Sequence, residues 1–369
     1  MPPTENPSIT QTEPSSAEPF AAEVAATPAG QKSVFVIFNP VSGKSDPEQR
    51  KKLISEALAE HGYTCQFIAT SKEKGAKALA EEAVRDGVDL LAVSGGDGTV
   101  IQAMSALIGT DIPLAVLPAG TGNLLSVNLS IPTTVPDAVD VALSGRPYAL
   151  DMVRTGDGQY FAIMGGLGMD AQMIADADRD AKNKMGKLAY VWAALKNLPR
   201  RRAFVEIILD GKPPLRRRAK SVLLANMGKI TGGLEAMPTA SPQDGLLDVG
   251  ILKAATLAHW VHLMVSALLG RTHRDPALEV HQAKHVIVRP RLPQPVQFDG
   301  EDAGRMRELT VEIVPQAVCV LVPADGLLGK DERDWPPAVV AERIAKRRLV
   351  LPLVLLAFAG VGLWLWRRR

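Results

Sequence analysis

Val88-Asp89-Leu90-Leu91-Ala92-Val93 is a short apolar run that stops at Ser94-Gly95-Gly96-Asp97-Gly98-Thr99 and gives way to a helical pattern over Gly98–Ile108. Strand, glycine loop and helix in that order make a βα unit, and the unit recurs on either side. Upstream, Ser33–Phe38 reads as a strand, Pro47–His61 as a helix, Tyr63–Ala69 as a strand and Lys74–Asp86 as a helix; downstream, Ile112–Leu117 is a fourth strand. Regular βα alternation with short connections predicts a parallel sheet covered by helices on both faces. Sheets of this kind bind ligands at the carboxyl ends of their strands.

Unusual residues collect at those ends. Asn39-Pro40-Val41-Ser42-Gly43-Lys44 follows the first strand, Ser94–Thr99 the third, and Leu117-Pro118-Ala119-Gly120-Thr121-Gly122-Asn123 the fourth. Glycine has no Cβ, so backbone N–H groups can approach an anion and take the positive φ that builds an anion nest. Helix N-termini add to the attraction for phosphate. Any one of these loops could be ordinary βα punctuation; three at one sheet edge describe a polyphosphate cradle. Two simpler motifs fail. Gly43-Lys44-Ser45 resembles the end of a P-loop, but the first glycine of that motif would fall at Phe38. Gly166-Leu167-Gly168-Met169-Asp170-Ala171 matches a dinucleotide pattern yet sits outside any βαβ unit.

After about Arg146 the pattern changes. Met152–Arg154 and Tyr160–Met164 flank Thr155-Gly156-Asp157-Gly158, and Phe204–Leu209 meets Asp210-Gly211 before Arg217–Ala225; both are hairpin signals. Further strands are expected at Leu247–Leu252, His285–Val288, Leu309–Val314 and Val318–Val322, with a helical pattern at Leu257–Leu269. An antiparallel β domain over 149–324 is therefore expected beside an α/β domain over 32–148. Residues 1–31, rich in Pro, Ser, Thr, Glu and Ala, read as a disordered tail with no secretory signal, which keeps the N-terminus in the cytosol.

At the other end, 325–348 reads as a linker with a basic flank. Leu349–Trp366 then runs for 18 residues without a charge, between Lys346-Arg347-Arg348 and Arg367-Arg368-Arg369. At 1.5 Å per residue it reaches about 27 Å, close to the hydrocarbon thickness of a bilayer, so a transmembrane helix is expected. The 369 residues carry 42 Lys+Arg against 40 Asp+Glu, a formal net charge of +2 that argues against a nucleic-acid partner. Two cysteines, Cys65 and Cys319, exclude a disulfide scaffold.

Asn39-Pro40-Val41-Ser42-Gly43, Gly95-Gly96-Asp97-Gly98-Thr99 and Pro118–Asn123, in that order, resemble the motifs of the diacylglycerol kinase catalytic family, the lipid kinases that include bacterial diacylglycerol kinases and sphingosine kinases, with NAD kinase a more distant relative. The resemblance continues through Gly166–Asp170, Asp244-Gly245-Leu246-Leu247-Asp248 and Phe298-Asp299-Gly300-Glu301. It implies an α/β nucleotide-binding domain followed by a β-sandwich-like domain, with ATP and Mg²⁺ as cofactors and a membrane lipid as substrate. A homodimer is a further expectation.

By that resemblance Asn39, Pro40, Val41, Ser42, Gly43, Thr70, Gly95, Gly96, Asp97, Gly98, Thr99, Val100, Ile101, Gly120, Thr121 and Asn123 hold the nucleotide. Asp97 would also help place Mg²⁺, although Asp is also a favoured helix cap and could cap Gly98–Ile108. Asp299 would be the general base, with Glu301 beside it, although Asp-Gly is also a hairpin turn. Asp244, with the carbonyls of Ser241 and Leu246, resembles a structural Mg²⁺ loop, and an ordinary turn explains the same residues. One departure stands out: Ile101 occupies a position where the family usually has a hydrogen-bonding Asn. The expected activity is phosphoryl transfer to a lipid hydroxyl, most simply diacylglycerol to phosphatidic acid; a sphingoid base or other lipid alcohol, or a silent nucleotide- or lipid-binding module, are the alternatives. ATP and Mg²⁺ would set the catalytic domains on the cytosolic side of a single C-terminal anchor.

Overall fold

The computed structural model describes residues 32–43, 45–168, 202–230, 234–254 and 275–324, with single positions between 256 and 272. The tail 1–31, the linker 325–348 and the expected membrane segment 349–366 lie outside the described residues, as does most of the helical pattern at 257–269. Among the described residues no helix is long and apolar enough to cross a membrane.

The first half alternates as expected: β1 (Lys32–Phe38), α1 (Pro47–Glu60), β2 (Tyr63–Ala69), α2 (Ala76–Asp86), β3 (Leu91–Gly95), α3 (Asp97–Leu107) and β4 (Leu114–Pro118). Two helices that the sequence reading did not assign, α4 (Leu124–Asn128) and α5 (Val135–Ser144), complete it. The strands lie parallel in the order β2-β1-β3-β4. β3 and β4 are buried at every position, as a sheet covered on both faces requires. The helix starts follow local chemistry: Asp46 accepts a hydrogen bond from the Glu48 N–H, and Pro47 opens α1. Gly87, at φ 68°, closes α2 with a left-handed residue.

The second half contains β5 (Arg146–Thr155), β6 (Tyr160–Phe161), β7 (Met164–Leu167), β8 (Ala203–Leu209), β9 (Leu215–Ala219), β10 (Ser221–Ala225), β11 (Lys229–Ile230), β12 (Leu234–Glu235) and β13 (Leu247–Leu252). It ends with β14 (Leu278–Ala283), β15 (His285–Pro290), β16 (Gln294–Phe298), β17 (Glu301–Met306) and β18 (Leu309–Val322). Both hairpins expected from turn residues form: β5 pairs with β6, and β8 with β9, antiparallel. A six-stranded sheet in the order β14-β13-β10-β7-β16-β17 faces the strands β18-β15-β8-β9. The apolar layer between them includes Val222, Leu224, Val249, Ile251 and Val296 from one sheet and Val205, Ile207, Val286, Val288 and Val311 from the other.

The strands expected at Leu309–Val314 and Val318–Val322 are one strand, β18, with an irregularity in its pairing to β5 between Val314 and Val318. Before that break β18 pairs with β15, and beyond it Val320 pairs in parallel with Leu114 of β4. β18 thus joins both halves into one ten-stranded sheet. Its break is stabilised by buried Asp151 of β5, whose Oδ1 accepts the Gln316 N–H at 2.7 Å. A bulge strands an unpaired backbone donor; a carboxylate on the neighbouring strand satisfies it.

Candidate active site

The motif loops leave the parallel sheet at one level. The Asn39 N–H donates to the Ser94 carbonyl, the Thr70 N–H to the Phe38 carbonyl and the Ala119 N–H to the Gly95 carbonyl, each at 2.9 Å. These bonds extend the strand ladder by one residue and align the loops before they diverge. Side chains then tie loop to loop. Asn39 Nδ2 donates to Thr99 Oγ1 at 2.8 Å, Asn39 Oδ1 accepts the Val41 N–H at 3.1 Å, and Ser42 Oγ accepts the Gly96 N–H at 3.2 Å.

The glycines are required by close approach. A Cβ on Gly120 would lie 2.7 Å from the Gly96 Cα, and one on Gly43, at φ 81°, would lie 2.1 Å from the Ala119 carbonyl oxygen. Each of these contacts is to main chain, so no rotamer change relieves it. A cleft of about 510 Å³ opens beside this crossing, lined by Gly43, Arg50, Ala119, Gly120, Thr121 and Asn123 among others. Val41 is 87% exposed at the tip of its loop.

Val100 and Ile101 stand apart from the other residues expected to hold nucleotide. Both are core side chains of α3, 2% and 7% exposed, packed in the apolar cluster that includes Val93 and Met104. Ile101 therefore replaces a polar residue with a buried apolar one and presents no group to the cleft. The physical reason is helical phase: Val100, Ile101, Ala103, Met104 and Leu107 form the buried stripe of α3.

Asp97 and Glu301 stand at the start of α3, and Asp299 is near enough to feel the charge of Asp97. Asp97 does not cap its own helix; its Oδ2 accepts the Leu124 N–H at 2.9 Å and its Oδ1 the Leu125 N–H at 3.0 Å, so it caps α4 across the site. Glu301 comes in from β17, and a Cβ on Gly98 would lie 2.5 Å from its Oε1. Asp299 occupies the Asp-Gly turn between β16 and β17, at φ 49° with Gly300 at φ 89°. Positive φ at both positions makes this a type I′ hairpin, as the turn reading expects. The hairpin is fixed from behind by Phe298, whose ring stacks on Phe161 at 5.2 Å between centroids.

The Asp299 carboxylate accepts three backbone N–H groups: Ala162 at 2.8 Å on Oδ2, and Ile163 at 2.9 Å and Met164 at 2.8 Å on Oδ1. Such bonds stabilise the ionised form and by themselves lower a carboxyl pKa. Desolvation acts the other way and outweighs them: burial, with a smaller contribution from the negative charge of Asp97, raises Asp299 from 3.8 to about 6. A carboxylate has about four acceptor positions; three are taken, and the one remaining is on Oδ2.

The metal loop expected at 241–246 lies elsewhere, against β5. Asp244 is exposed and its Oδ1 accepts the Leu246 N–H at 2.9 Å. The loop is pinned by Asp151, which accepts the Gly245 N–H on Oδ2 at 2.8 Å and donates its own N–H to the Pro242 carbonyl, and by Gln243 Nε2 donating to the Ala149 carbonyl. Among the described residues no cluster of three or more His, Cys, Asp or Glu side chains could hold a metal. A cation at either place would need main-chain oxygens or water to complete its shell, which suits Mg²⁺.

Two structural residues of the site escaped the sequence reading, Arg50 and Asp151. Each had a signal: Arg50 falls on the apolar stripe of α1 with Ile54, Ala57 and Leu58, and Asp151 interrupts the apolar run Tyr148-Ala149-Leu150 and Met152-Val153.

Comparison with known proteins agrees with this fold. The diacylglycerol kinase catalytic domain family matches residues 33–155, and the YegS C-terminal NAD kinase beta sandwich-like domain family matches residues 164–322. A diacylglycerol kinase of Bacillus subtilis (strain 168) is 30% identical over 280 residues, 74% of this chain and 91% of that protein. The chain belongs to the diacylglycerol kinase family. It is a kinase. A diacylglycerol kinase of Mycobacterium tuberculosis (strain H37Rv) is 29% identical over 79% of this chain and 96% of its own length. Two solved proteins of Bacillus anthracis str. Sterne share the fold, with TM-scores of 0.66 and 0.61 at 21% and 18% identity, covering 82% and 81% of this chain and 100% of each.

Proposed function

We propose that this chain transfers the γ-phosphoryl group of ATP to a lipid hydroxyl, converting diacylglycerol to phosphatidic acid. The observation that carries the reading is Asp299: a desolvated carboxylate, with a pKa of about 6, set at the end of a glycine cradle. A base poised near neutral pH is suited to take a proton from an alcohol. The remaining acceptor position on Oδ2 receives the hydroxyl proton as the lipid oxygen bonds to the γ-phosphorus. The bond from that phosphorus to the β,γ-bridging oxygen breaks, and ADP leaves with the electron pair.

Each protein group has a distinct part. The crossing of Gly96 and Gly120 brings main chain close enough to hold phosphate oxygens. Mg²⁺, when bound, supplies neutralising charge to the phosphates, and Asp97 is the residue that would face it. Asp97 has one N–H on each oxygen, so both oxygens keep acceptor capacity for a metal's water ligands. Glu301, held over Gly98, is a second carboxylate for nucleotide or metal. Asp244 with the Ser241 and Leu246 carbonyls is proposed as a structural Mg²⁺ loop, separate from the chemistry.

The 18 uncharged residues of 349–366, bracketed by arginines, support a membrane anchor that keeps the kinase beside a substrate confined to the bilayer. The test is transfer of label from γ-labelled ATP, with Mg²⁺, to a panel of lipids in mixed micelles, alongside an Asp299→Asn variant. Labelled phosphatidic acid that disappears in the variant is expected. Label on a sphingoid base instead would change the substrate, and no label on any lipid would overturn the reading.

A further inference from the structure

α1 packs on the sheet through a stripe that contains a charge. Arg50 is only 4% exposed. Its Nη1 donates to the Ser42 carbonyl and its Nη2 to the Asn39 carbonyl, both at 2.6 Å, and its guanidinium lies 4.4 Å from the centre of the Phe38 ring. Nε is buried without a partner. Among the described residues no carboxylate forms an ion pair with it, and burial alone pulls its pKa below the ordinary arginine value. Arginine nevertheless remains charged in proteins.

A buried cation without a counter-charge is unfavourable, and holding two carbonyls does not require one, because a neutral amide also donates hydrogen bonds. The charge therefore points to an anion from outside the chain. Arg50 lines the same cleft as Gly43, Gly120 and Thr121. A Cβ on Gly43 would lie 3.7 Å from Arg50 Nη1, so the guanidinium borders the very glycine that keeps the loop open. Fixing the Ser42 carbonyl also fixes the adjoining Gly43 N–H, since the two are antiparallel in a trans peptide.

We propose that Arg50 is a positioning residue for the nucleotide's phosphates: it locks the Asn39–Gly43 loop through two carbonyls and holds a positive charge beneath the cleft that a phosphate group neutralises. This rests on the nucleotide-binding reading above. The charge and the clamp are separable by substitution. Arg50→Lys keeps the charge and loses the fork, whereas Arg50→Gln keeps an amide donor and loses the charge. Charge-assisted bonds are worth enough that losing one weakens binding by about tenfold to a hundredfold.

The experiment is calorimetric titration of the full chain in detergent micelles with ADP, together with KM for ATP and for lipid. Lys52, two residues on and exposed, serves as the control for loss of a positive charge in general. The expected result is ADP bound about tenfold to a hundredfold more weakly by Arg50→Gln, a much smaller loss in Arg50→Lys, and no change in Lys52→Gln. The ATP KM rises with the ADP loss and the lipid KM does not. Equal losses in the Lys and Gln variants would overturn the charge role and leave a mechanical clamp, and no loss in either would overturn the charge and the clamp together. Wild-type protein that binds no ADP would overturn this role and the nucleotide reading together.

Discussion

The pH dependence of turnover tests whether Asp299 is the base. An ordinary aspartate, at 3.8, is already more than about nine-tenths ionised at pH 5, so a reaction using one would hardly change between pH 5 and 8. Asp299 at about 6 behaves differently. Its competent, ionised fraction is about a tenth at pH 5, half at pH 6 and nine-tenths at pH 7, so kcat/KM should rise about tenfold from pH 5 to 7 and then level. The rise from 3.8 to about 6 corresponds to at most about 3 kcal/mol against the charged form, and to less because part of the residue meets solvent. The assay is the initial rate of labelled phosphate transfer at subsaturating lipid and constant ionic strength, which reports the free enzyme. Asp97→Asn removes one of the charges that raise Asp299, so the inflection should move to lower pH whatever the height of the plateau. A profile flat from pH 5 to 8 would refute the reasoning. The linkage to stability has its own sign: the raised pKa contributes stability below about pH 4 that is lost as pH rises through about 6, because the unfolded chain ionises first.

Three further substitutions separate stability from chemistry. Gly120→Ala forces a Cβ to 2.7 Å from the Gly96 Cα; overpacking of main chain should destabilise by about 1–3 kcal/mol and weaken ADP binding together, read by thermal melting with and without ADP. Gly98→Ala meets only the flexible end of Glu301, 2.5 Å away, within the first turn of α3. Its melting temperature should hold or rise, since alanine favours helix by about 1 kcal/mol, while turnover falls as Glu301 is displaced; unchanged turnover would remove Glu301 from the site. Mg²⁺ chelation should lower the melting temperature of wild type more than that of Asp244→Ala, and equal shifts would leave 241–246 as a turn and nothing more.

What was legible in the sequence was whatever close approach enforces locally. Gly43 and Gly120 were readable because a Cβ at either would collide with the main chain of a neighbouring loop. The strand positions were readable because buried parallel strands are apolar throughout. Direction of burial was not readable at Val100 and Ile101, where a motif written one residue at a time ran into the phase of a helix that turns them into the core. Nor was the unity of β18 visible, because Pro315-Gln316-Ala317 looks like a break until Asp151, 165 residues away, is seen to satisfy the Gln316 N–H.

The carboxylates of Asp97 and Asp299 share one logic of placement that only the fold exposes. Asp97 and Asp299 are each held by backbone N–H groups from an element distant in sequence: α4 for Asp97, the segment 162–164 for Asp299. Main-chain donors are as fixed as the elements that carry them, so a carboxylate bound this way has little rotamer freedom and stays oriented while its last acceptor position waits for a proton. Lys or Arg side chains could orient it too, but they would bring positive charge and lower the pKa further. Neutral donors orient Asp299 without cancelling the effect of burial. That combination explains how a carboxyl with three hydrogen bonds can still have a pKa of about 6, and it places the decisive information in residues 162–164, whose contribution is their backbone and whose side chains give no hint of it.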